Sequence, residues 1–582
     1  KKWAPGIGRV AFAGDDPSAF SLISPEIHGR AADADTLLFA GRDARDQACL
    51  ESCLSPALSF LVLGGDWPRV LPPKLLLKTG AMGIRVLGPG SEGVIVPQEG
   101  ERNPGKIALL AEGGALLSDC VRSFRRRGAS FGYALSFGRA SDYSPLEAAS
   151  AILSRDDEVA LFVFILNSLA KGRPLLDFAA AARGAGRRVG LLPMDAPEVR
   201  SRQEQAVLRQ YDVLLYSGID SITDSAMLFT SLAGEDLSDR RLLLNHSPRD
   251  ERTRLLKNEA ERSGFIPVKR GEESPLSLCL LDDSDSTVSI RRRTRMAERK
   301  GQKVIFTSSG ESSVAQELAL KANASFIPGL NRCIRALSTL FDPSIPILKN
   351  VTDEHRSGQG ARVRRGFPGD AKDMLRAYGI PVAKERLCHS LSEALSAAEA
   401  ISYPVVLKVV SPSILHKSEA RVIALGIQNE EELRNAYGRT LEKARIAGSS
   451  KSVMGVLVQE MVRGGIEWRM EYRRDVRFGP VIEASIGGLY GEILPEGVLR
   501  AAPFSKEEAM LMISESRGYP LLLPGWQRER LDVEAFSEVL SAFSNLACNE
   551  TRISRLDVDP IFVNRSGVLV VDAYIERRAG KR

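Results

Sequence analysis

The chain has 582 residues, with 44% hydrophobic and 26% charged content, which suits a soluble globular protein of three or four domains. Its net charge of +6, from 79 basic and 73 acidic residues, predicts no nucleic-acid footprint beyond local patches. The longest apolar run, around 158-EVALFVFILNSLA-170, is too short to cross a bilayer, so no membrane partner is expected. Seven scattered cysteines, without metal spacing or CxxC pairs, read as reduced, mostly buried thiols of a cytoplasmic protein. There is no signal-like start, and a chain opening on Lys-Lys rather than Met leaves room for residues before it.

In chain order, 8-GRVAFAG-14, 57-ALSFLVLGG-65, 84-IRVLGPG-90, 106-KIALLAEGG-114, 158-EVALFVFIL-166, 211-YDVLLYSG-218 and 302-QKVIFTSSG-310 are continuously apolar runs. Strands buried on both faces read this way, and most of these end in Gly or Ser where a helix would begin. The fold class is therefore α/β, with doubly wound parallel-sheet units in series. Composition shifts divide the chain at 1–100, 101–236 and 237–343, with a Pro-, Gly- and charge-rich linker over 344–366 and a last region over 367–582. The basic run 291-RRRTRMAERK-300 reads as a solvated helix, with a phosphate-binding patch as the alternative.

From about 370 the pattern changes. A helix over 370–379 is followed by 380-IPVAKERL-387, and then by a second helix whose capping box runs from Ser390 to Glu393. The strand 405-VVLKVV-410 carries Lys408 in its middle, where a lysine must snorkel or meet an anion. A helix over 430–447 and the strand 453-VMGVLVQEMV-462 follow. The tail 555-RLDVDPIFVNRSGVLVVDAYIE-576 reads as a hairpin around 564-NRSG-567, pairing Val563 with Val568 and setting Asp559 opposite Asp572. Asp557 and Asp559, two apart, share a face. Three converging carboxylates suit Mg²⁺ or Mn²⁺, and a hydrated hairpin end suits the spacing equally well.

Lys408 in VVLKVVSP, His416 in HKS, Glu460 in VLVQEMV, Gly464-Gly465-Ile466-Glu467, 477-RFGPVIEASIGGLYGEIL-494 and 556-LDVDPIFV-563 follow one another in an order that resembles the ATP-grasp domain of the NDP-forming acyl-CoA synthetases. That family includes ADP-forming acetate–CoA ligase and, more distantly, succinyl-CoA ligase. The resemblance implies that Lys408 contacts ATP phosphates and that Glu460, Met461 and Val462 form the adenine-side hinge. It further implies Glu467 near the ribose, Gly487-Gly488 as a turn over the phosphates, and Asp557, Asp559 and Asp572 on Mg²⁺. His416 matches the family's phosphoryl carrier, and a neutral imidazole is a competent nucleophile. The stretch 85-RVLGPGSEGVIVP-97 is similar to the family's CoA-binding unit, which implies CoA contacts at Gly14, Gly88, Pro89 and Gly90 and flavodoxin-like ligase units after it. ATP/ADP, Mg²⁺, CoA and a small carboxylic acid are thus the expected ligands, and a homodimer is common in the family.

Several family features are altered. After HKS, where the family has Val-Gly-Gly-Val behind an acidic residue, this chain reads 419-EARVIALG-426, and Arg421 enters where Gly would be. Arg555 replaces an acidic residue ahead of the metal motif. A Ser-Gln-Ser-Gly turn has become Ala111-Glu112-Gly113-Gly114, putting a carboxylate where a helix N-terminus would favour a phosphate. The second unit's own phosphohistidine has no counterpart in 198-EVRSRQEQAVLRQYDVLL-215, and the nearest histidine, His246, follows a different strand. Three readings result: an active ADP-forming acyl-CoA ligase, a silent ATP- and CoA-binding regulator or scaffold, and an ATP-grasp ligase with another acceptor.

Overall fold

The computed structural model describes residues 10–14, 36–40, 50, 54, 60–64, 78–79, 81–82, 84–87, 105–138, 144–169, 172–194, 202–232, 239–245, 251–269, 272–281, 285–310, 312–341, 369–410, 423–447, 453–494, 497–524 and 530–578. It divides into two compact units, 1–347 and 348–582.

The first unit holds three parallel sheets. Strands β1 (Val10–Gly14), β2 (Thr36–Ala40), β3 (Phe60–Gly64) and β4 (Arg85–Leu87) pair in chain order. The second sheet is built from β5 (Ile107–Ala111), β6 (Tyr133–Ser136), β7 (Leu161–Leu166), β8 (Arg188–Pro193) and β9 (Val213–Leu215), in the order β6-β5-β7-β8-β9. The third repeats that winding with β10 (Arg241–Leu244), β11 (Ile266–Val268), β12 (Leu276–Leu281), β13 (Lys303–Ser308) and β14 (Phe326–Ile327), in the order β11-β10-β12-β13-β14. Every residue of β5, β7 and β12 is buried, which is why these strands are apolar without alternation.

Three helices lie between the second and third sheets. Helix α1 (Gly114–Arg127) buries Leu117, Cys120, Val121 and Phe124 at helical spacing and stops at Gly128, whose φ of 75° is left-handed. Helix α2 (Ile219–Ser231) packs beside it, α3 (Leu330–Leu340) packs on α2, and one continuous apolar core runs from Ile107 and Val163 through Phe124, Ile222 and Leu337 to Leu278 and Ile305. Buried Asp224 of α2 joins all three helices. It is ion-paired to Arg127 of α1 and accepts from Arg332 Nε of α3 at 2.6 Å. The two sheets are therefore halves of one core. The division expected near 236 falls among residues outside the described set. The basic run 291–300 lies largely on a helix, Thr287–Glu298, as the solvated-helix reading expects, with Arg293 paired to Asp285 at 2.6 Å.

The second unit holds two antiparallel sheets. The smaller is β15 (Glu385–Cys388), β16 (Val405–Val410), β17 (Ile423–Ile427) and β18 (Gly455–Glu460), in the order β15-β18-β16-β17. Helices α4 (Leu391–Ile401), N-capped by Ser390, and α5 (Glu430–Ala447) cover it. The larger is β19 (Ile466–Asp475), β20 (Gly479–Ile486), β21 (Val498–Ala501), β22 (Ile553–Asn564) and β23 (Gly567–Val570), in the order β21-β20-β19-β22-β23, with β24 (Ala573–Arg577) also on β22. Along β19, Trp468, Met470 and Tyr472 are buried and Glu467, Arg469 and Glu471 are not. The apolar face packs on helix α6 (Val533–Asn549), where the Trp468 and Phe536 rings meet edge-on with centroids 5.0 Å apart. Burying a ring such as Phe536 contributes about 1.5–3 kcal/mol. The opposite face of this sheet is left polar.

Candidate nucleotide site

The polar face is written in the alternation of two strands. In β19, Ile466-Glu467-Trp468-Arg469-Met470-Glu471 sends every second side chain away from the core, and in β22 Arg555, Asp557 and Asp559 do the same. The strands run antiparallel, with Glu471 opposite Asp557, so the charges interleave. The hairpin has the expected register. Val563 pairs with Val568, Val558 with Ala573, and Asp559 N–H donates to the Asp572 carbonyl at 3.2 Å. Asp559 and Asp572 therefore stand side by side.

Lys408 answers them from the smaller sheet. It lies in β16 between Leu457 of β18 and Ile423 of β17, and its side chain is buried. Its ammonium sits 3.6 Å from Asp572 Oδ2. A lysine in an apolar strand thus meets the other sheet's acidic corner. Glu467 adds to that corner: burial, followed by the charge of Asp559, pushes its carboxyl above the usual range. Gly488 closes over it with φ of +58°, and a Cβ there would lie 2.5 Å from Glu467 Oε2. Glycine takes that left-handed backbone without strain and leaves that space free. Gly487 N–H donates to the Glu467 carbonyl at 2.8 Å.

At the end of β18, Glu460 Oε2 accepts from Lys384 N–H at 3.1 Å and its own N–H donates to the Lys384 carbonyl at 2.8 Å. Met461 N–H reaches the Pro404 carbonyl at 3.4 Å, and Met461 and Val462 are both half-buried.

The acidic corner is not uniform. Asp557 is held by arginine on both oxygens: Arg555 Nη2 lies 3.1 Å from Oδ2, and Arg555 Nε lies 3.3 Å from Oδ1. Arg469 Nη2 is 3.6 Å from the same Oδ1 and donates to Glu471 at 3.0 Å. Asp559 is different. Burial raises its carboxyl above the usual range, Arg469 offsets part of this, and Asp557 and Asp572 raise it further. No group of three or more His, Cys, Asp or Glu placed to hold a metal occurs among the described residues. A hard divalent cation fits the donor set at Asp559 and Asp572, which is oxygen-only and carries an excess of negative charge. Asp557 is engaged by guanidinium groups. The alternation that carries Arg469 and Glu471 into the site was visible in the sequence, although sequence reasoning stopped at Glu467.

His416 and Arg421 lie outside the described residues, as do Gly88, Pro89, Gly90 and His246. Gly14 is the last residue of β1. In the second sheet, the winding reverses between β5 and β7, and the crevice at their carboxyl ends is where such folds bind ligands. Glu112 occupies it. Its Oε2 accepts from Asn167 N–H, beyond β7, at 2.7 Å, and its own N–H donates to the Ile165 carbonyl at 3.0 Å.

Residues 366–576 match the family model described as an ATP-grasp domain. The acetate–CoA ligase [ADP-forming] II subunit beta of Pyrococcus furiosus is 39% identical over 209 residues, spanning 35% of this chain and 89% of that protein. The chain belongs to the NDP-forming acyl-CoA synthetase family. An acetate–CoA ligase [ADP-forming] I from Archaeoglobus fulgidus aligns more widely with this chain, 26% identical over 570 residues, covering 84% of the chain and 82% of the relative. Among solved structures, the Ca. Korarchaeum cryptofilum dinucleotide forming acetyl-coenzyme A synthetase 1, in complex with coenzyme A, Ca-AMPCP and HgCl+, is 34% identical. It covers 36% of this chain and 92% of its own, at a TM-score of 0.35.

Proposed function

We propose that the C-terminal unit binds ATP or ADP with Mg²⁺ and carries out the nucleotide half-reaction of an ADP-forming acyl-CoA ligase. The observation that carries this reading is Lys408, a buried cation reaching from β16 to within 3.6 Å of Asp572, beside Asp559. Asp559 and Asp572 would hold the metal, which supplies charge neutralisation to the phosphates. Lys408 orients the phosphate chain. Glu460, Met461 and Val462 lie on the adenine side, Glu467 beside the ribose, and Gly487 and Gly488 over the phosphates. In the transfer, a ring nitrogen of His416 bonds to the γ-phosphorus, the bond from that phosphorus to the β–γ bridging oxygen breaks, and ADP departs. In the complete cycle the phosphoryl group would be passed on to a carboxylic acid and CoA, with the N-terminal unit contributing CoA contacts at Gly14, Gly88, Pro89 and Gly90.

A second reading is favoured by Glu112: a protein that binds nucleotide, and CoA with it, as a regulator without turnover. The carboxylate of Glu112 stands in the β5–β7 crevice, where a phosphate would be repelled, and residues 198–215 contain no histidine. A shuttle between two sites lacks its second carrier.

Labelling with γ-³²P-ATP and Mg²⁺ tests the first reading. Acid-labile, alkali-stable label that is lost in His416→Ala supports the half-reaction. Tight ATP binding without label sinks it and leaves the regulator.

A further inference from the structure

We infer that Arg469 is a phosphate-contacting residue, gripping the polyphosphate of the bound nucleotide from the larger sheet as Lys408 does from the smaller. The inference rests on the nucleotide site proposed above and adds a residue and a charge to it. Arg469 projects from the middle of β19 onto the polar face, between Glu471 and Asp559. Its Nη2 is satisfied by Glu471 at 3.0 Å. Its Nε is buried and has no hydrogen-bond partner, and the nearest carboxylate oxygen on that edge, Asp559 Oδ2, is 4.0 Å away. That distance is too long for a hydrogen bond, and a buried N–H without an acceptor is costly.

An oxygen lying beside Asp559 would supply the missing acceptor. A phosphate oxygen of a nucleotide whose cation sits on Asp559 and Asp572 meets that requirement. It also suits the planar donor fork of a guanidinium. Arg555 holds the other side of the arrangement: by pairing with Asp557 and Glu471, at 3.1 and 3.2 Å, it takes up carboxylate charge that would otherwise hold Arg469 back. The site thus presents a fixed positive charge between Glu471 and Asp559. The recognised feature is the charge and length of a phosphate chain rather than the base.

The test is isothermal titration of the full chain with ATP, ADP and AMP in Mg²⁺, for wild type, Arg469→Gln, Arg469→Lys and Lys408→Met. Arg469→Gln is expected to weaken ATP about 10- to 100-fold and AMP less than about 3-fold, with Arg469→Lys recovering part of the loss. ATP affinity within about 2-fold of wild type in Arg469→Gln, alongside a loss in Lys408→Met, overturns the inference and leaves the site standing. Equal weakening of ATP and AMP also overturns it, because that pattern belongs to a structural residue. A wild type that binds none of the three nucleotides removes the site itself, and the inference with it.

Discussion

Glu483 shows how single side chains on the polar face are held at a cost. It stands directly across β19–β20 from Glu471, and like charges in that position destabilise a sheet. Burial, followed by the opposing pull of Arg473 and the push of Glu471, leaves its carboxyl above the usual range. A raised acid binds its proton more tightly in the native state than in the unfolded one. The penalty is therefore absent below the unfolded glutamate's range, grows as pH rises through the folded value, and is complete above it. Glu483→Gln is expected to raise the melting temperature of the second unit by about 1–4 °C at pH 7, with the gain vanishing near pH 4 by differential scanning calorimetry. An equal gain at both pH values would locate the effect in packing. At this scale the sequence was most informative where chemistry is unusual: a lysine inside an apolar strand, and aspartates two apart facing a third. It was least informative where partners come from distant strands. Nothing local to Asp557 says that Arg469 will lie beside it, because β19 ends at Asp475, β22 begins only at Ile553, and the two meet only through the sheet.

Elements carry the next level of argument. The parallel strands of the first unit were legible because two-sided burial demands unbroken apolar runs, and β5, β7 and β13 lie within the stretches expected. Of the strands not singled out, β11 and β14 are two or three residues long, too short to carry a pattern, while β2, β8 and β12 are apolar strands of five or six residues that sequence reasoning passed over. The hairpin register of β22 and β23 could be counted because a two-residue loop fixes pairing. The β5–α1 turn has a more specific consequence. Helix α1 has Gly113 as its N-cap and so no side-chain cap, its field is open to an anion, and Glu112 beside it is anchored to Asn167. Glu112→Ser removes the resident charge. Wild type is expected to show no binding of inorganic phosphate to this unit by ³¹P NMR, and the variant to gain binding in the millimolar range, about 4 kcal/mol. Phosphate binding by wild type, abolished in the variant, would mean that Glu112 supports an anion site instead of filling it.

For the whole molecule, the two units differ in how they are closed. The second has its own cores: one on the smaller sheet around Leu407 and Val458, and one on the larger around Trp468, Phe536 and Phe543. Each is covered by helices of the same unit. A fragment of residues 366–582 is therefore expected to unfold cooperatively and to bind Mg²⁺–ATP within about 3-fold of the full chain. A molten fragment, by near-UV circular dichroism, would show that its stability is borrowed. The first unit does not divide so easily, because Phe124, Ile222 and Leu337 serve the second and third sheets together, with the Arg127–Asp224–Arg332 cluster beneath them. This constrains how genes for such proteins can be cut and rejoined. A break at the boundary of the two units cuts through none of these cores, and the Pyrococcus furiosus relative that matches the second unit is a subunit beta. A break between the second and third sheets would produce two polypeptides, each with an exposed apolar face, one keeping the Arg127–Asp224 pair and the other left with Arg332 alone. Selection can shuffle the nucleotide-side module as a unit, while the two doubly wound sheets must be inherited together.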